Sequence, residues 1–205
     1  MIASLRWWYL IFVGAALLLL ASFYLDAGVQ AWMVQHQNGG VRKFMQAVSR
    51  FGDWQGHVVL GVILMGVAYW RGSKKWTRIF AAMILAAVLA SIATRVVKIS
   101  AGRARPNVQT ELAWNGPSLS SRYNAFPSGH TAFSTAFFAA LAFASWRIGR
   151  GLLAVPLLIA FSRMYVAAHY LSDVVCASMI GVLAAYFVAR RMRLQIRNPN
   201  SEIRN

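Results

Sequence analysis

The sequence predicts an all-α, polytopic membrane protein with six transmembrane helices in one bundle. Of its 205 residues, 59% are hydrophobic and only 13% are charged, and mean hydropathy is +0.51, a composition unsuited to a water-soluble globule. The apolar residues also gather in runs close to the roughly 17 to 25 residues that cross a bilayer. The formal net charge of +16, from 21 Lys+Arg against 5 Asp+Glu, then points to anionic lipid head groups and membrane orientation ahead of nucleic acid. No nucleic-acid partner is expected.

The first run, residues 7–25, is too long for a signal-peptide core and precedes no evident small-residue cleavage site, so it reads as a retained helix. A first outer loop with Arg42, Lys43 and Arg50 follows. Further runs cover residues 54–70, 79–97, 131–146, 152–168 and 174–189. Pro156 is expected at most to kink the fifth. Trp7, Trp8, Trp54, Trp70, Trp76 and Trp146 fall near the ends of runs, where an aromatic belt forms. Without a repeat, low-complexity tract or soluble appendage, residues 1–205 read as a single membrane domain. The lone Cys176 excludes an intrachain disulfide or cysteine-based zinc site and reads as a small buried hydrophobe.

Six crossings put both termini on one side. With the N-terminus inward, Arg6, Arg71, Lys74, Lys75, Arg78, Arg147, Arg150 and the tail 190–205 with Arg190, Arg191, Arg193, Arg197 and Arg204 are cytoplasmic, 12 of the 21 basic residues. The positive-inside rule favours that arrangement. Arg95, Lys98, Arg103, Arg105, Arg122 and Arg163 collect instead near the outer ends of helices three to five. Such charges are costly there, so they should bind an anion or pair with acids. Glu111 and Asp173 are the acids in those segments.

Three polar clusters share the outer face: Lys98, six residues, Arg105-Pro106; Pro127-Ser128-Gly129-His130; and Ser162-Arg163, five residues, His169, three residues, Asp173. This set resembles the three-part signature of the type-2 phosphatidic acid phosphatase superfamily, whose site is similar to that of vanadium haloperoxidases. Every signature position and both internal spacings match, over residues 98–173.

A phosphate monoester or diphosphate needs several cationic donors, with Arg supplying a planar fork and Lys a point charge. Lys98, Arg105 and Arg163 fit that need. Ser128 and Gly129, ahead of a helix, add a hydroxyl and a backbone N–H at the positive end of the helix dipole. Two histidines suit a two-step displacement, one attacking phosphorus and the other protonating the leaving alkoxide. Asp173, four residues after His169, is one helical turn away and is expected to accept its ring N–H, which marks His169 as nucleophile. The resemblance implies the same roles: phosphohistidine at His169, His130 as general acid, and Lys98, Arg105, Arg163, Ser128 and Gly129 as the phosphate cradle. No metal-binding carboxylate cluster is evident, so hydrolysis without metal or cofactor is expected.

The remaining candidates read more plainly. His36 and His57 are taken as capped or interfacial, and Arg95 as a snorkelling anchor. For Arg103 and Arg122, outside the signature, phosphate contact and a solvated loop are equal readings. Trp114 is a candidate guard of lipid access. The resemblance implies a lipid phosphatase acting on phosphatidic acid, phosphatidylglycerol phosphate or undecaprenyl diphosphate, within a family that also takes lipid A phosphates. It further implies a bacterial inner membrane location; the loop charges put the active site at the outer face, the placing of all three clusters at helix ends predicts that it opens laterally to the bilayer, and selectivity is expected in the outer loop 107–126. The alternatives are an anion or lipid transporter and a vanadate-dependent oxidase.

Overall fold

The computed structural model describes residues 2–108 and 110–194. The side chain of Arg6, and Arg197 and Arg204 of the basic tail, lie outside the described residues. Eight α-helices follow one another: α1 (Ile2–Gln35), α2 (Gly39–Phe51), α3 (Trp54–Trp70), α4 (Lys74–Ala101), α5 (Gly129–Ala144), α6 (Trp146–Leu152), α7 (Ala154–Tyr165) and α8 (Leu171–Arg191), with one 3-10 turn at Ser121–Tyr123. Among the described residues the only β pairing is an isolated bridge between Arg103 and Trp114.

The expected count of six crossings is not reproduced. Among the described residues four stretches are long and apolar enough to span a membrane, Trp7–Gln35, Lys74–Ala101, Trp146–Tyr165 and Leu171–Arg191, or five if α2 and α3, bent by 53° across their break, make one span. The first outer loop is thus the helix α2, capped by Asn38, whose side chain accepts from the backbone N–H groups of Gly40 and Val41. The fourth expected crossing, α5, has 16 residues, about 24 Å at 1.5 Å per residue, short of a hydrocarbon core of about 30 Å. Its environment accounts for that length. Every residue from Thr131 to Leu141 is buried, so α5 is enclosed by protein and need not match the bilayer. The fifth run breaks at Leu153, because Pro156 has no N–H and its ring crowds the carbonyl four residues earlier, that of Leu152.

Small residues let the helices close around α5. A Cβ on Gly181 of α8 would lie 2.8 Å from the Ala132 carbonyl oxygen and 2.9 Å from the Ala136 nitrogen, so the two backbones touch as small-residue seams allow. Ala82, Ala86, Ala87 and Ala90 of α4 and Ala177 and Ala185 of α8 complete that core with Phe133, Phe137 and Phe138. Helix α1 lies outside it with most of its surface exposed, Leu10, Phe12, Leu17 and Leu20 among the uncovered side chains. Its buried stripe runs through Ser22, Asp26 and Met33, spaced as one helical face.

Candidate active site

Lys98 ends α4, and its Nζ donates to the Asn124 carbonyl at 3.0 Å. The helix stops at Gly102, whose φ of 57° and ψ of 48° are left-handed, and a Cβ there would lie 1.7 Å from the Gly116 oxygen. Only glycine fits both demands. The turn delivers Arg103 to the interior and Arg105 to within electrostatic reach of Lys98 and Arg163. The Nε groups of Arg105 and Arg163 are buried and hydrogen-bond to no protein atom.

The second cluster opens α5. Ser128 is fully buried; its N–H donates to the Asp173 carbonyl at 3.1 Å, and its Oγ accepts from the Thr131 hydroxyl at 3.0 Å. A Cβ on Gly129 would have Lys98 Nζ as its near neighbour, at 4.0 Å, so protein packing does not demand glycine there. His130 Nε2 lies 2.6 Å from Asp53 Oδ1.

The third cluster spans the end of α7 and the start of α8. The Arg163 carbonyl accepts from the N–H groups of Ala168 at 3.0 Å and His169 at 3.3 Å, folding the loop back so that His169 lies under the cations. The expected His169–Asp173 pairing is present, but at ion-pair distance rather than in close hydrogen-bond geometry. Nδ1 and Oδ2 are 3.4 Å apart and Nδ1 has no hydrogen-bond partner. The reason is that His169 precedes α8 rather than lying on it, while Asp173 Oδ2 accepts the Tyr170 N–H at 2.8 Å. The pair interacts as charge and ring at close range. Burial pushes the pKa of His169 down to about 4, Asp173 opposes the shift, and Arg163 and Lys98 add to it. A neutral imidazole follows, the form a nucleophile needs.

Three residues at this face have partners that the sequence did not show. Arg103, given there as contacting phosphate or solvent, does neither: it is buried, with Nη1 donating to Asp173 Oδ1 and Ser172 Oγ and Nη2 to Asp26 Oδ2, each at 2.6 Å. Tyr170, Trp114 and Phe23 cover its guanidinium, with ring centroids at 4.2, 4.9 and 5.5 Å. Trp114 therefore roofs Arg103. Asp26 also accepts from the Ser172 N–H and hydroxyl at 2.8 and 2.6 Å. Asp26 and Asp53 thus join Asp173 as the acids at this face, so acids are less scarce than the local segments suggested. An acid directly after the first apolar run was itself the available signal. Asp53, between two helices, gave none.

His36 is exposed, bonded to the Trp32 carbonyl and stacked on that ring, as a capped histidine should be. His57 is instead fully buried, edge-on to Phe133, Phe137 and Phe138. Among the described residues no group of three or more His, Cys, Asp or Glu side chains is placed to hold a metal ion. A cavity of about 650 Å³ opens from Lys98, Gly129, His130 and Asp53 along an apolar wall of Val58, Ile84, Val88, Ile92 and Phe133. A larger apolar hollow of about 780 Å³ between α1, α7 and α8 touches none of the signature residues.

Known proteins resemble this chain in sequence and in fold. The lipid A 1-phosphatases of Rhizobium etli and Rhizobium johnstonii are each 26% identical to this chain, over 195 and 193 residues, covering 86% of it and 81% and 77% of their own lengths. A PAP2-type phosphatidylglycerolphosphate phosphatase from Bacillus subtilis has a similar fold, with TM-score 0.67 and 18% identity over 88% of this chain and 95% of its own. LpxE of Aquifex aeolicus gives 0.60 and 19% over 81% and 95%. The sequence model of the PAP2 superfamily matches residues 75–197, over half the chain and all three polar clusters, and the chain belongs to that superfamily.

Proposed function

We propose that this protein hydrolyses a lipid phosphate monoester or diphosphate at the outer face of a bacterial inner membrane, through a phosphohistidine at His169. Its family makes it a membrane phosphatase; the substrate, the intermediate and the topology are inferred here. The observation that carries the reading is the pair of buried Arg105 and Arg163 Nε groups with no protein acceptor, set beside Lys98 and two histidines. Buried guanidinium donors are expensive to leave unmade, and phosphoryl oxygens are acceptors matched to them.

In the first step a nitrogen lone pair of His169 attacks phosphorus and the ester P–O bond breaks, its electron pair leaving on the alkoxide. That oxygen takes a proton from His130. Water then attacks the phosphohistidine, giving its proton to His130, and the N–P bond breaks to release phosphate and neutral His169. Lys98, Arg105, Arg163 and the amide of Gly129 stabilise the equatorial oxygens, as phosphoryl transfer requires. No metal is assigned a step.

The cavity running from His130 along Val88 and Ile92 suits an acyl or prenyl chain that stays in the bilayer. Lys74, Lys75 and Arg78 begin α4 and Arg190 and Arg191 end α8, opposite the ends bearing Lys98 and Asp173, which favours cytoplasmic termini. Asp26, Ser49 and Asp53 reach the site from ahead of the signature, which supports one membrane domain that includes the helices before it.

Phosphate release by the purified chain in detergent with EDTA tests the reading, using phosphatidic acid, phosphatidylglycerol phosphate, undecaprenyl diphosphate and lipid A 1-phosphate. The expected result is release from at least one lipid, with competitive inhibition by vanadate, which adopts the five-coordinate geometry of the transition state. No release from any lipid overturns the phosphatase; activity lost to EDTA and restored by magnesium overturns the metal-free route.

A further inference from the structure

We infer that Asp53 is a positioning residue for His130, holding it from the joint between α2 and α3 as the proton donor to the leaving oxygen. The inference rests on the phosphatase reading above. Its ground is how Asp53 uses its carboxylate. Asp53 occupies the N-cap of α3, where an aspartate ordinarily accepts a backbone N–H of the first turn, yet it makes no such bond. Its Oδ1 lies instead 2.6 Å from His130 Nε2 on α5. The other two aspartates at this face are engaged by Arg103.

The surroundings explain why an anion is needed. Burial, then Arg163 on α7 and Lys98 on α4, disfavour a charged His130 ring, and Asp53 is the group that favours it, so the proton a donor must carry depends on that carboxylate. The α2–α3 joint is fixed at several points. The His57 ring meets the Asp53 carbonyl at 3.2 Å, and the Asp53 N–H donates to the Arg50 carbonyl at 3.1 Å. Ser49 on α2 accepts a hydrogen bond from Arg163 Nη1. One joint thus contacts both the proton donor and a cradle cation. Asp53 and Ser49 both lie ahead of residues 75–197, the part matched to the family.

As the P–O bond breaks, its electron pair goes to the leaving oxygen, which takes the proton of the His130 imidazolium and leaves the ring neutral. Asp53 remains a carboxylate. In the second step the attacking water returns a proton to the ring, and Asp53 stabilises the imidazolium so restored.

The test compares kcat and KM of the wild-type chain, Asp53→Asn, Asp53→Glu, His130→Ala and the double variant His130→Ala with Asp53→Asn, on phosphatidic acid and on an aryl phosphate whose leaving group needs little protonation. For Asp53→Asn we expect kcat on phosphatidic acid to fall about 10²-fold, the lower range of general-acid contributions, with KM nearly unchanged. The loss on the aryl phosphate should be far smaller. The double variant should be no slower than His130→Ala alone, and Asp53→Glu should recover part of the activity. Equal losses on both substrates, losses that multiply in the double variant, or Asp53→Asn as fast as wild type would each overturn the inference. If Asp53→Asn does not keep the wild-type melting temperature, Asp53→Glu carries the same comparison against His130→Ala. If the wild-type chain does not hydrolyse phosphatidic acid, the lipid of the panel above that it does hydrolyse takes its place; release from none of them refutes the phosphatase reading instead.

Discussion

Replacing Arg103 by Met removes the cation that bridges Asp26 and Asp173 while keeping most of the side-chain volume. In the wild type the guanidinium makes three hydrogen bonds of 2.6 Å to Asp26, Asp173 and Ser172 and is enclosed by three aromatic rings. Breaking a buried pair from one side leaves an uncompensated charge and costs about 3–5 kcal/mol. For a chain of this size that corresponds to a fall of roughly 6–20 °C in melting temperature. Asp26→Asn added to Arg103→Met removes one of the stranded charges and should return part of the loss. Phosphate release should also drop, because the Asp173 carboxylate is then free to turn away from His169. Thermal unfolding of the purified variants in one detergent measures the first effect, and phosphate release at a temperature where both are folded measures the second. If Arg103→Met melts with the wild type, Arg103 is not the tie described here. If Asp26→Asn deepens the loss, the unpaired charge is not its cause.

Further expectations follow from the site. His169→Ala should abolish turnover and any trapped phosphoenzyme, whereas His130→Ala should spare an aryl phosphate more than a lipid alkyl phosphate; phosphate mapped to His130 in an active His169→Ala variant would exchange their roles. With the pKa of His169 lowered from 6.5 to about 4, phosphoenzyme formation from an aryl phosphate should hold as pH falls through 6.5 and decline only towards 4. The stability tied to that histidine is full above 6.5, where folded and unfolded rings are both neutral, and is lost as pH falls to about 4 because the unfolded chain protonates first; an acid limb centred at 6.5 would contradict the buried neutral ring. Ser100→Cys in a Cys176→Ala background should be labelled from outside the cell, and labelling confined to the cytoplasmic side would invert the topology.

Composition and local spacing by themselves determined that the chain is helical and membrane-bound, because both rest on how much apolar residue stands in unbroken runs. The same holds for the three signature clusters. Lys98 with Arg105, Ser128 with Gly129 and His130, and Arg163 with His169 and Asp173 are each separated by a few residues along the chain, so a linear pattern records them. Helix lengths and bends were decided by packing: α5 is short since its neighbours surround it, and α2 is a helix bent against α3 where the sequence showed only a basic loop. The partners of the site were also decided in three dimensions. Asp26 meets Arg103 across 77 residues, and Asp53 reaches His130 from another helix joint. Pairings over such separations leave no periodicity in the chain; they exist only because α1 and the α2–α3 joint pack against the ends of α5, α7 and α8, where a buried or half-buried charge must find its opposite.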